Sequence, residues 1–333
     1  MEDASFLGRV FDSYQNMMQI AACIREVARQ RGLARPRVLE LSRRETGLPD
    51  YLTEVDLTRF ATHENDRPSL SVPVALPFAD GAFDCCLVTD VYEHIPPERR
   101  PELLQEMLRV TDGLVIVAAP QGDPIVTRLD RVVFDFIWGK YGERFLPLEQ
   151  HVEFGLEPIA ETVASLQRLG ADHVAVLPGN YVYRWIHMIL IYFDLQHRNG
   201  GHAALFEPFN RIYNQYLSPY DYREPCYRYL VAIATRPDVD VGVLEAALQK
   251  PAEQAGIAAE TDRMLVRTFR EIDSAAADRL RDADREIARL VKENAALGRS
   301  RDERAREVAE LNARLQRWSV RAHARRWARR LFG

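Results

Sequence analysis

The chain has 333 residues, 47% apolar and 28% charged, so it can bury a sizeable core and is longer than a typical single domain. Its formal net charge of −5 is unevenly divided. From Glu260 onward there are 19 Lys and Arg against 13 Asp and Glu, a net of +6, which leaves 25 against 36 upstream, a net of −11. The acidic upstream part argues against a surface that binds nucleic-acid phosphates, whereas the basic end suits an anionic surface.

The cysteines and the first residues indicate a cytoplasmic protein. Cys23, Cys85, Cys86 and Cys226 lack the spacing of a metal site, and we interpret them as reduced thiols. The chain begins without the basic region and apolar run of a signal peptide. The most apolar stretch, Trp185 to Leu195, is far shorter than the ~20 residues that cross a bilayer, so we expect no transmembrane segment.

The N-terminal third predicts a covering helix followed by two strands. Apolar residues recur at helical spacing from Ser5 to Arg31, and Gly32 then ends the helix. We assign residues 1–36 to this region and expect the helix to cover the sheet. Arg37 to Leu41 is predicted as the first core strand and Leu52 to Asp56 as the second.

The centre of the chain predicts a parallel strand-helix-strand unit. A buried strand runs from Phe83 to Val88, a helix from Glu98 to Arg109, and a second apolar strand from Leu114 to Ala118. Such a crossover is right-handed and belongs to a doubly wound sheet. Further predicted elements are a helix at Glu157 to Leu169 and strands at His173 to Leu177 and Tyr227 to Thr235. Residues 178–225 are aromatic and mostly helical, and we predict that they form a cap over the cleft.

Composition places a domain boundary after this sheet. Residues 236–259 are predicted as a linker, and residues 260–318 as a coiled coil that forms a homodimer. The alternative is a single helix that lies on the globular part. The heptad seam has apolar residues or Asn at its a and d positions, interrupted by Arg301 and Arg304; its members are Ile287, Asn294, Val308 and Leu315 at a, with Leu290, Leu297, Leu311 and Trp318 at d.

The last residues, 317–333, combine six arginines with tryptophan and no acid. Val320, Ala324, Trp327 and Leu331 fall on one helical face, a composition typical of a helix in a membrane interface. Contact with nucleic acid is the electrostatic alternative, and a solvated helix end is the simplest explanation. We predict peripheral membrane contact and no nucleic-acid partner.

Four short motifs resemble those of class I S-adenosylmethionine-dependent methyltransferases. They are Leu76-Pro77-Phe78, Phe83-Asp84, Glu93-His94-Ile95-Pro96 and Arg109-Val110. A wider likeness, roughly from Arg37 to Thr235, is to a bacterial subgroup encoded beside glycosyltransferases in surface-polysaccharide clusters. It includes His151-Val152-Glu153-Phe154-Gly155-Leu156, Asn180 with Arg184-Trp185, and Arg223-Glu224-Pro225-Cys226-Tyr227-Arg228.

The resemblance implies a Rossmann-like methyltransferase fold that binds S-adenosylmethionine. In these enzymes a glycine-rich turn follows the first strand, and an acid that closes the second strand binds ribose. Here Glu40 would serve the methionine ammonium group and Asp56 the ribose, with Ser42 and Gly47 in the turn. The turn has one glycine, and Val72 stands where the family commonly has aspartate. A non-catalytic scaffold that tethers partner enzymes or glycan at the membrane is therefore the alternative function.

The candidate reacting groups follow the central strand. Asp90 and Glu93 are predicted to contact the cofactor, and Asp90 also belongs to the catalytic set. His94 is a candidate general base, or else packs beneath the cofactor or caps a helix. His151 is a second candidate base at the rim of the cleft. Tyr183-Arg184-Trp185 forms either a sugar-binding or phosphate-binding wall, or part of the core.

Other reaction classes lack their signatures. The chain has no phosphate-binding P-loop, no His-Glu-x-x-His zinc pair and no Gly-x-Ser-x-Gly nucleophile turn, and we expect no metal site. The resemblance therefore implies an O-methyltransferase that uses S-adenosylmethionine and acts on a saccharide or lipid-linked glycan.

Overall fold

The computed structural model describes residues 4–42, 48–61, 75–197 and 203–244, with parts of 281–314. Its Cα positions divide into two units, Met1–Arg270 and Glu271–Gly333. The predictions for Gly47, Val72, the 236–259 linker beyond residue 244 and the 317–333 tail lie outside the described residues.

The first unit is built on one mixed sheet. Within its described part the strand order is β2-β1-β3-β4-β6-β5, with β1 to β4 parallel and β6 antiparallel to both of its neighbours. The strands are β1 Arg37–Ser42, β2 Asp56–Ala61, β3 Phe83–Thr89, β4 Thr111–Pro120, β5 His173–Tyr181 and β6 Cys226–Ala234. The predicted doubly wound, mostly parallel α/β fold is confirmed.

Helices cover both faces of this sheet. They are α1 Phe11–Arg31, α2 Leu48–Tyr51, α3 Arg100–Val110, α4 Pro124–Tyr141, α5 Leu146–Phe154, α6 Ile159–Arg168, α7 Val182–His197 and α8 Ala203–Tyr216. Short 3₁₀ turns occupy Ala4–Gly8, Tyr92–His94, Pro97–Arg99, Ser218–Tyr220 and Val241–Val243. Helices α7 and α8 lie in the segment predicted as the helical cap.

Two apolar layers follow from the alternation of side chains along the strands. On one face α1 buries Met17, Ile20 and Ile24 against the strands, and it ends at Gly32, whose φ of 64° suits a residue without a Cβ. On the other face α3 packs Leu104 and Met107 against the sheet. Each such burial stabilises the fold by ~1.5–3 kcal/mol relative to exposure.

The predicted second strand, Leu52 to Asp56, is wrong. Leu48–Tyr51 is a helical turn, and the strand runs from Asp56 to Ala61 instead. Leu52 and Val55 are buried in the layer beneath α1, so their apolar character reflects tertiary packing rather than pairing within the sheet. The side chains of β2 are mostly exposed, and so polar a sequence gave little reason to predict a strand there.

All four cysteines are buried and free. None of the helices in the described ranges is long and apolar enough to cross a membrane.

The second unit is helical wherever residues 281–314 are described. Four predicted seam residues lie exposed on this helix: Ile287, Leu290, Val308 and Leu311. A second helix packed on them would remove this apolar surface from water. The coiled-coil dimer stays a prediction.

A buried carboxylate ties the amino edge of the sheet to α1. Asp84, at the start of β3, accepts hydrogen bonds from the backbone N–H of Arg37 at 2.8 Å and from its Nε at 3.1 Å, and Arg31 Nη1 lies 3.3 Å away. Burial acts to raise the pKa of Asp84, but the hydrogen bonds from Arg37 and the charges of both arginines outweigh it and lower the pKa overall. Asp84 therefore stabilises the fold in its charged form.

We expect Asp84→Ala to lower the free energy of unfolding by ~1–3 kcal/mol, because the backbone N–H of Arg37 and the largely buried guanidinium of Arg31 lose this acceptor. Urea unfolding followed by tryptophan fluorescence measures the change. The contribution is fully present above the unfolded-state pKa of ~3.9 and disappears as pH falls through the lower folded-state pKa. Asp80→Ala is the matched control, since the Asp80 side chain is 83% exposed. Equal shifts in the two variants would contradict this role.

Candidate functional site

A cleft of about 520 Å³ opens at the carboxyl edge of the parallel strands. In a doubly wound sheet this edge is where ligands bind. Because β6 is antiparallel, its first residues reach the same edge, where Arg228 pairs in register with Pro120 at the end of β4. The lining includes Ser42, Thr89 and Asp90 from strand ends and Trp185 from α7.

The chain leaves β3 through a left-handed residue. Asp90 has a φ of 52°, which aspartate tolerates better than most residues. The following 3₁₀ turn buries the side chains of Glu93 and His94, both of which line the cleft. Buried Arg100 fixes this turn against the end of α5, because it donates to the carbonyl oxygens of Ile95 at 3.0 Å and Gly155 at 2.8 Å.

Arg228 is the central cation of the cleft. Its side chain is 3% exposed. The guanidinium donates to Asp12 Oδ2 on α1 at 3.0 Å and to Asp90 Oδ1 at 2.5 Å. Burial raises the pKa of Asp12 and the nearby Asp90 adds to the rise, while Arg228 opposes both. One guanidinium thus joins three separate parts of the chain.

A chain of hydrogen bonds reaches from β6 to α5. Asp130, buried on α4, accepts from the Tyr227 hydroxyl at 2.7 Å, and its other oxygen lies 2.7 Å from Nδ1 of His151. Trp185 stacks on Tyr227 with ring centroids 3.5 Å apart and donates to Asp12 at 3.1 Å. The imidazole of His151 is therefore fixed in orientation by a carboxylate that is itself fixed.

Glu93, His94 and His151 form a buried group on the floor of the cleft. One ligand atom of each lies within 4.8 Å of the others, and the two imidazole centroids are 5.2 Å apart. Among the described residues, this is the group of three His, Cys, Asp or Glu side chains with the geometry to hold a metal ion. The sequence predicted no such site, because Glu93 and His94 lie 57 or more positions from His151 in the chain.

The electrostatics of this group couple its members. Burial raises the pKa of Glu93 to about 7, with the charge of Asp90 adding to the rise and that of His151 opposing it. Burial acts to lower the pKa of His151, but the hydrogen bond and charge of Asp130, together with the charges of Glu93 and Asp90, raise it above its ordinary value. Perturbed titrating groups in a cleft are typical of functional sites.

The structure brings together Ser42, Asp90, Glu93, His94 and His151 of the predicted site residues. Two other predicted site residues, Glu40 and Asp56, do not line the cleft. Glu40 is fully buried and accepts from Arg59 Nε on β2 at 3.0 Å, outside the lining of the cleft.

The prediction that Asp56 binds the ribose is wrong. Asp56 begins β2 and pairs in register with Arg37, the first residue of β1, so it lies at the amino edge of the sheet. There it forms an exposed ion pair with Arg35. The error follows directly from the misplaced second strand. In the sequence the next carboxylates beyond β2 are Glu64 and Asp66, which lie outside the described residues.

The predicted wall of Tyr183, Arg184 and Trp185 is divided by the structure. Trp185 lines the cleft, whereas Arg184 is buried and forms an ion pair with Asp221 at 2.6 Å. Tyr183 contacts the ring of Tyr181.

Sequence reasoning missed Asp12, Asp130, Tyr227 and Arg228 as site residues. A signal existed for Asp130, which stands on the apolar stripe of α4 between Leu129 and Val133, where a carboxylate needs a partner. Arg228 gave no local signal, because its partners come from distant segments.

One segment of the chain matches a known family. Residues 52–117 match the family model described as "Methyltransferase domain". The match includes β2, β3, α3 and most of β4, and with them Asp90, Glu93 and His94. It begins downstream of β1 and of residues 42–47, the position at which the resembling enzymes carry glycines. No curated protein matches the chain.

Solved methyltransferase structures show only distant likeness. A possible histamine N-methyltransferase from Thermotoga maritima is 10% identical, covers 67% of this chain and 92% of its own, and gives a TM-score of 0.33. The plantazolicin methyltransferase BpumL in complex with SAH is 10% identical, covers 68% of this chain and 85% of its own, and gives a TM-score of 0.39. The 1,6-didemethyltoxoflavin-N1-methyltransferase of Burkholderia thailandensis is 13% identical, covers 66% of this chain and 78% of its own, and gives a TM-score of 0.34.

We expect Arg228→Met to lower the free energy of unfolding by ~3 kcal/mol, because Asp12 and Asp90 then face each other without their buried cation. Adding Asp12→Asn should recover part of this loss, with a coupling of ~1–3 kcal/mol measured as a double-mutant cycle in urea. Arg236→Met is the control, since that side chain is 42% exposed. Strictly additive effects of the two cleft substitutions would show that the ion pair does not exist in solution.

Proposed function

We propose that this protein is an S-adenosylmethionine-dependent methyltransferase that methylates an oxygen of a saccharide in surface-glycan biosynthesis. The observation that carries the proposal is the buried group of Glu93, His94 and His151. It lies on the floor of a cleft at the carboxyl edge of the sheet, and two of its three members belong to the segment that matches a methyltransferase domain.

The cleft fits the cofactor in size and charge. Its volume of about 520 Å³ is within the ~300–1,000 Å³ of small-molecule sites. Among the described lining residues, the Asp90 carboxyl group is 53% exposed and is the one open to a ligand with a sulfonium cation. Ser42 and Asp90 would hold the cofactor. When bound, S-adenosylmethionine supplies the electrophilic methyl group.

The residues of the chain would orient the acceptor and take its proton. Asp130 holds Nδ1 of His151, so Nε2 of that imidazole is the atom that can accept a hydroxyl proton. His94 lies beside it, with the ring centroids 5.2 Å apart. Holding a hydroxyl there in a near-attack position supplies the larger part of the rate enhancement in such a transfer.

A saccharide acceptor is supported by the walls of the cleft as well as by the resemblance. Tyr192 and Phe145, both partly exposed, line it, and aromatic faces offer flat apolar surfaces to sugar rings. The predicted lipid-linked form of the glycan, the coiled-coil homodimer and the peripheral membrane contact of the tail belong to the same proposal and rest on the sequence.

Two observations favour the alternative, a non-catalytic scaffold with the same fold. The family match begins only at residue 52, and Glu40 is held in an ion pair with Arg59 rather than facing the cleft. The predicted contact of Glu40 with the methionine end of the cofactor stays a prediction. Cofactor binding separates the two functions.

Calorimetric titration of the full chain with S-adenosylmethionine and S-adenosylhomocysteine tests the proposal. We expect micromolar affinity for both. Asp90→Asn should weaken S-adenosylmethionine more than S-adenosylhomocysteine, because only the former carries a fixed positive charge. Asp80→Asn, on the exposed turn before β3, is the matched control and should change neither affinity. Absence of heat with both ligands at millimolar concentration would leave only the scaffold.

Methyl transfer is tested with an isotopically labelled methyl donor and a panel of saccharide acceptors, with products read by mass spectrometry. We expect a labelled sugar, and a loss of ~10²-fold or more in kcat for His151→Asn with cofactor affinity retained. His173→Asn, an exposed histidine on β5, should leave the rate unchanged. Label on protein or nitrogen acceptors instead of sugars would overturn the choice of substrate class.

A further inference from the structure

We propose that Glu93, His94 and His151 form a binding site for one divalent transition-metal ion on the floor of the cleft. Binding of the ion is a property of these three side chains and does not depend on methyl transfer. Its role in catalysis, described below, rests on the proposed function.

Distances between the three side chains suit a shared ion. Their ligand atoms lie within 4.8 Å of one another before any ion draws them together. The imidazole centroids are 5.2 Å apart. Two imidazoles bound to one ion through bonds of ~2.1 Å at a near-tetrahedral angle have their centroids about 5 Å apart. The centroid separation therefore fits a shared ion, and the rings, whose planes lie 27° apart, would turn about χ2 to direct one nitrogen each at it.

His151 is oriented as metal-bound histidines are. Its Nδ1 lies 2.7 Å from the Asp130 carboxylate, which leaves Nε2 as the ligand atom. Asp130 is held in turn by the Tyr227 hydroxyl at 2.7 Å. A carboxylate-histidine pair of this kind fixes the tautomer and makes the imidazole a better ligand.

The environment of Glu93 is a second, independent observation that favours a bound cation at this position. Its side chain is 3% exposed, and its Oε2 is buried without a hydrogen-bond partner in the described part of the chain. A buried carboxylate oxygen in that state is costly unless a cation or donor compensates it. The other carboxylate oxygen, Oε1, lies 3.7 Å from Nε2 of His94.

The ligand set indicates the class of ion. Two imidazoles with one carboxylate suit Zn²⁺, Fe²⁺ or Mn²⁺ better than Mg²⁺ or Ca²⁺, which prefer sites made of oxygen. Three protein ligands leave open coordination positions, and these would face the cleft that Glu93, His94 and His151 all line. A hydroxyl oxygen of the acceptor would occupy one of them. With the ion bound, Nε2 of His151 is a ligand and no longer the base, so the ion would instead lower the pKa of the hydroxyl and its proton would leave to solvent.

The experiment uses the full chain with any affinity tag removed, stripped by a chelator and then titrated with Zn²⁺, Mn²⁺ and Mg²⁺ by calorimetry. Ion content after desalting is measured by mass spectrometry. We expect one tightly bound Zn²⁺ or Mn²⁺ per chain and weaker Mg²⁺. His94→Asn and His151→Asn should each lower affinity ~100-fold or more, and Asp130→Asn ~10–100-fold. His173→Asn is the matched control and should retain wild-type affinity.

Circular dichroism of each variant separates lost binding from lost folding. Co²⁺ added to the wild-type chain gives a second readout, visible absorption bands of the bound ion, that needs no variant. Absence of stoichiometric binding by the folded wild-type chain at millimolar ion overturns the inference. So does binding that survives both histidine substitutions, or binding that favours Mg²⁺.

Failure of the metal site is distinguishable from failure of the proposed function. S-adenosylhomocysteine is titrated into the chelator-stripped chain in parallel. Nucleotide binding without ion binding overturns only the metal site, whereas ion binding without nucleotide binding supports the site and overturns only the proposed methyltransferase.

Discussion

The guanidinium of Arg228 is the constraint on which the architecture of the cleft depends. It lies buried where β6, α1 and the residue after β3 meet. There it donates hydrogen bonds to both Asp12 and Asp90. Arg228 is the buried member of this group, whereas Asp12 and Asp90 are 24% and 53% exposed, so the two carboxylates compensate the burial of the cation. Asp90, which meets Arg228, leaves β3 in a left-handed conformation, and the turn that follows buries Glu93 and His94.

The antiparallel strand β6 explains how a sheet of this kind supports such a site. In a wholly parallel sheet only carboxyl ends meet at one edge, whereas here the amino end of β6 brings Tyr227 and Arg228 to that edge. Alternation along the strand sends these neighbours in different directions, Tyr227 to Asp130 and Arg228 to Asp12. Two adjacent residues thus organise the histidine side and the carboxylate side of one cleft.

Sequence reasoning predicted what local pattern determines. The strand at Phe83, the helix after Pro97 and the capped N-terminal helix were all recognisable, because their apolar spacing and end signals are contained within each element. The site residues that follow β3 came from the same segment. The second strand was misplaced because Leu52 and Val55 are buried by distant parts of the fold, and Asp56 was misassigned with it. Asp12, Asp130 and Arg228 depend on pairings that no local pattern encodes.

A crystal structure of the full chain with S-adenosylhomocysteine would show whether the cleft at the carboxyl edge is the cofactor site. We expect adenosyl density in the volume lined by Ser42 and Asp90, with the Arg228 ion pairs intact. Ligand density elsewhere, or the side chain of Arg43 or Arg44 filling that volume while the ligand is absent, would contradict it.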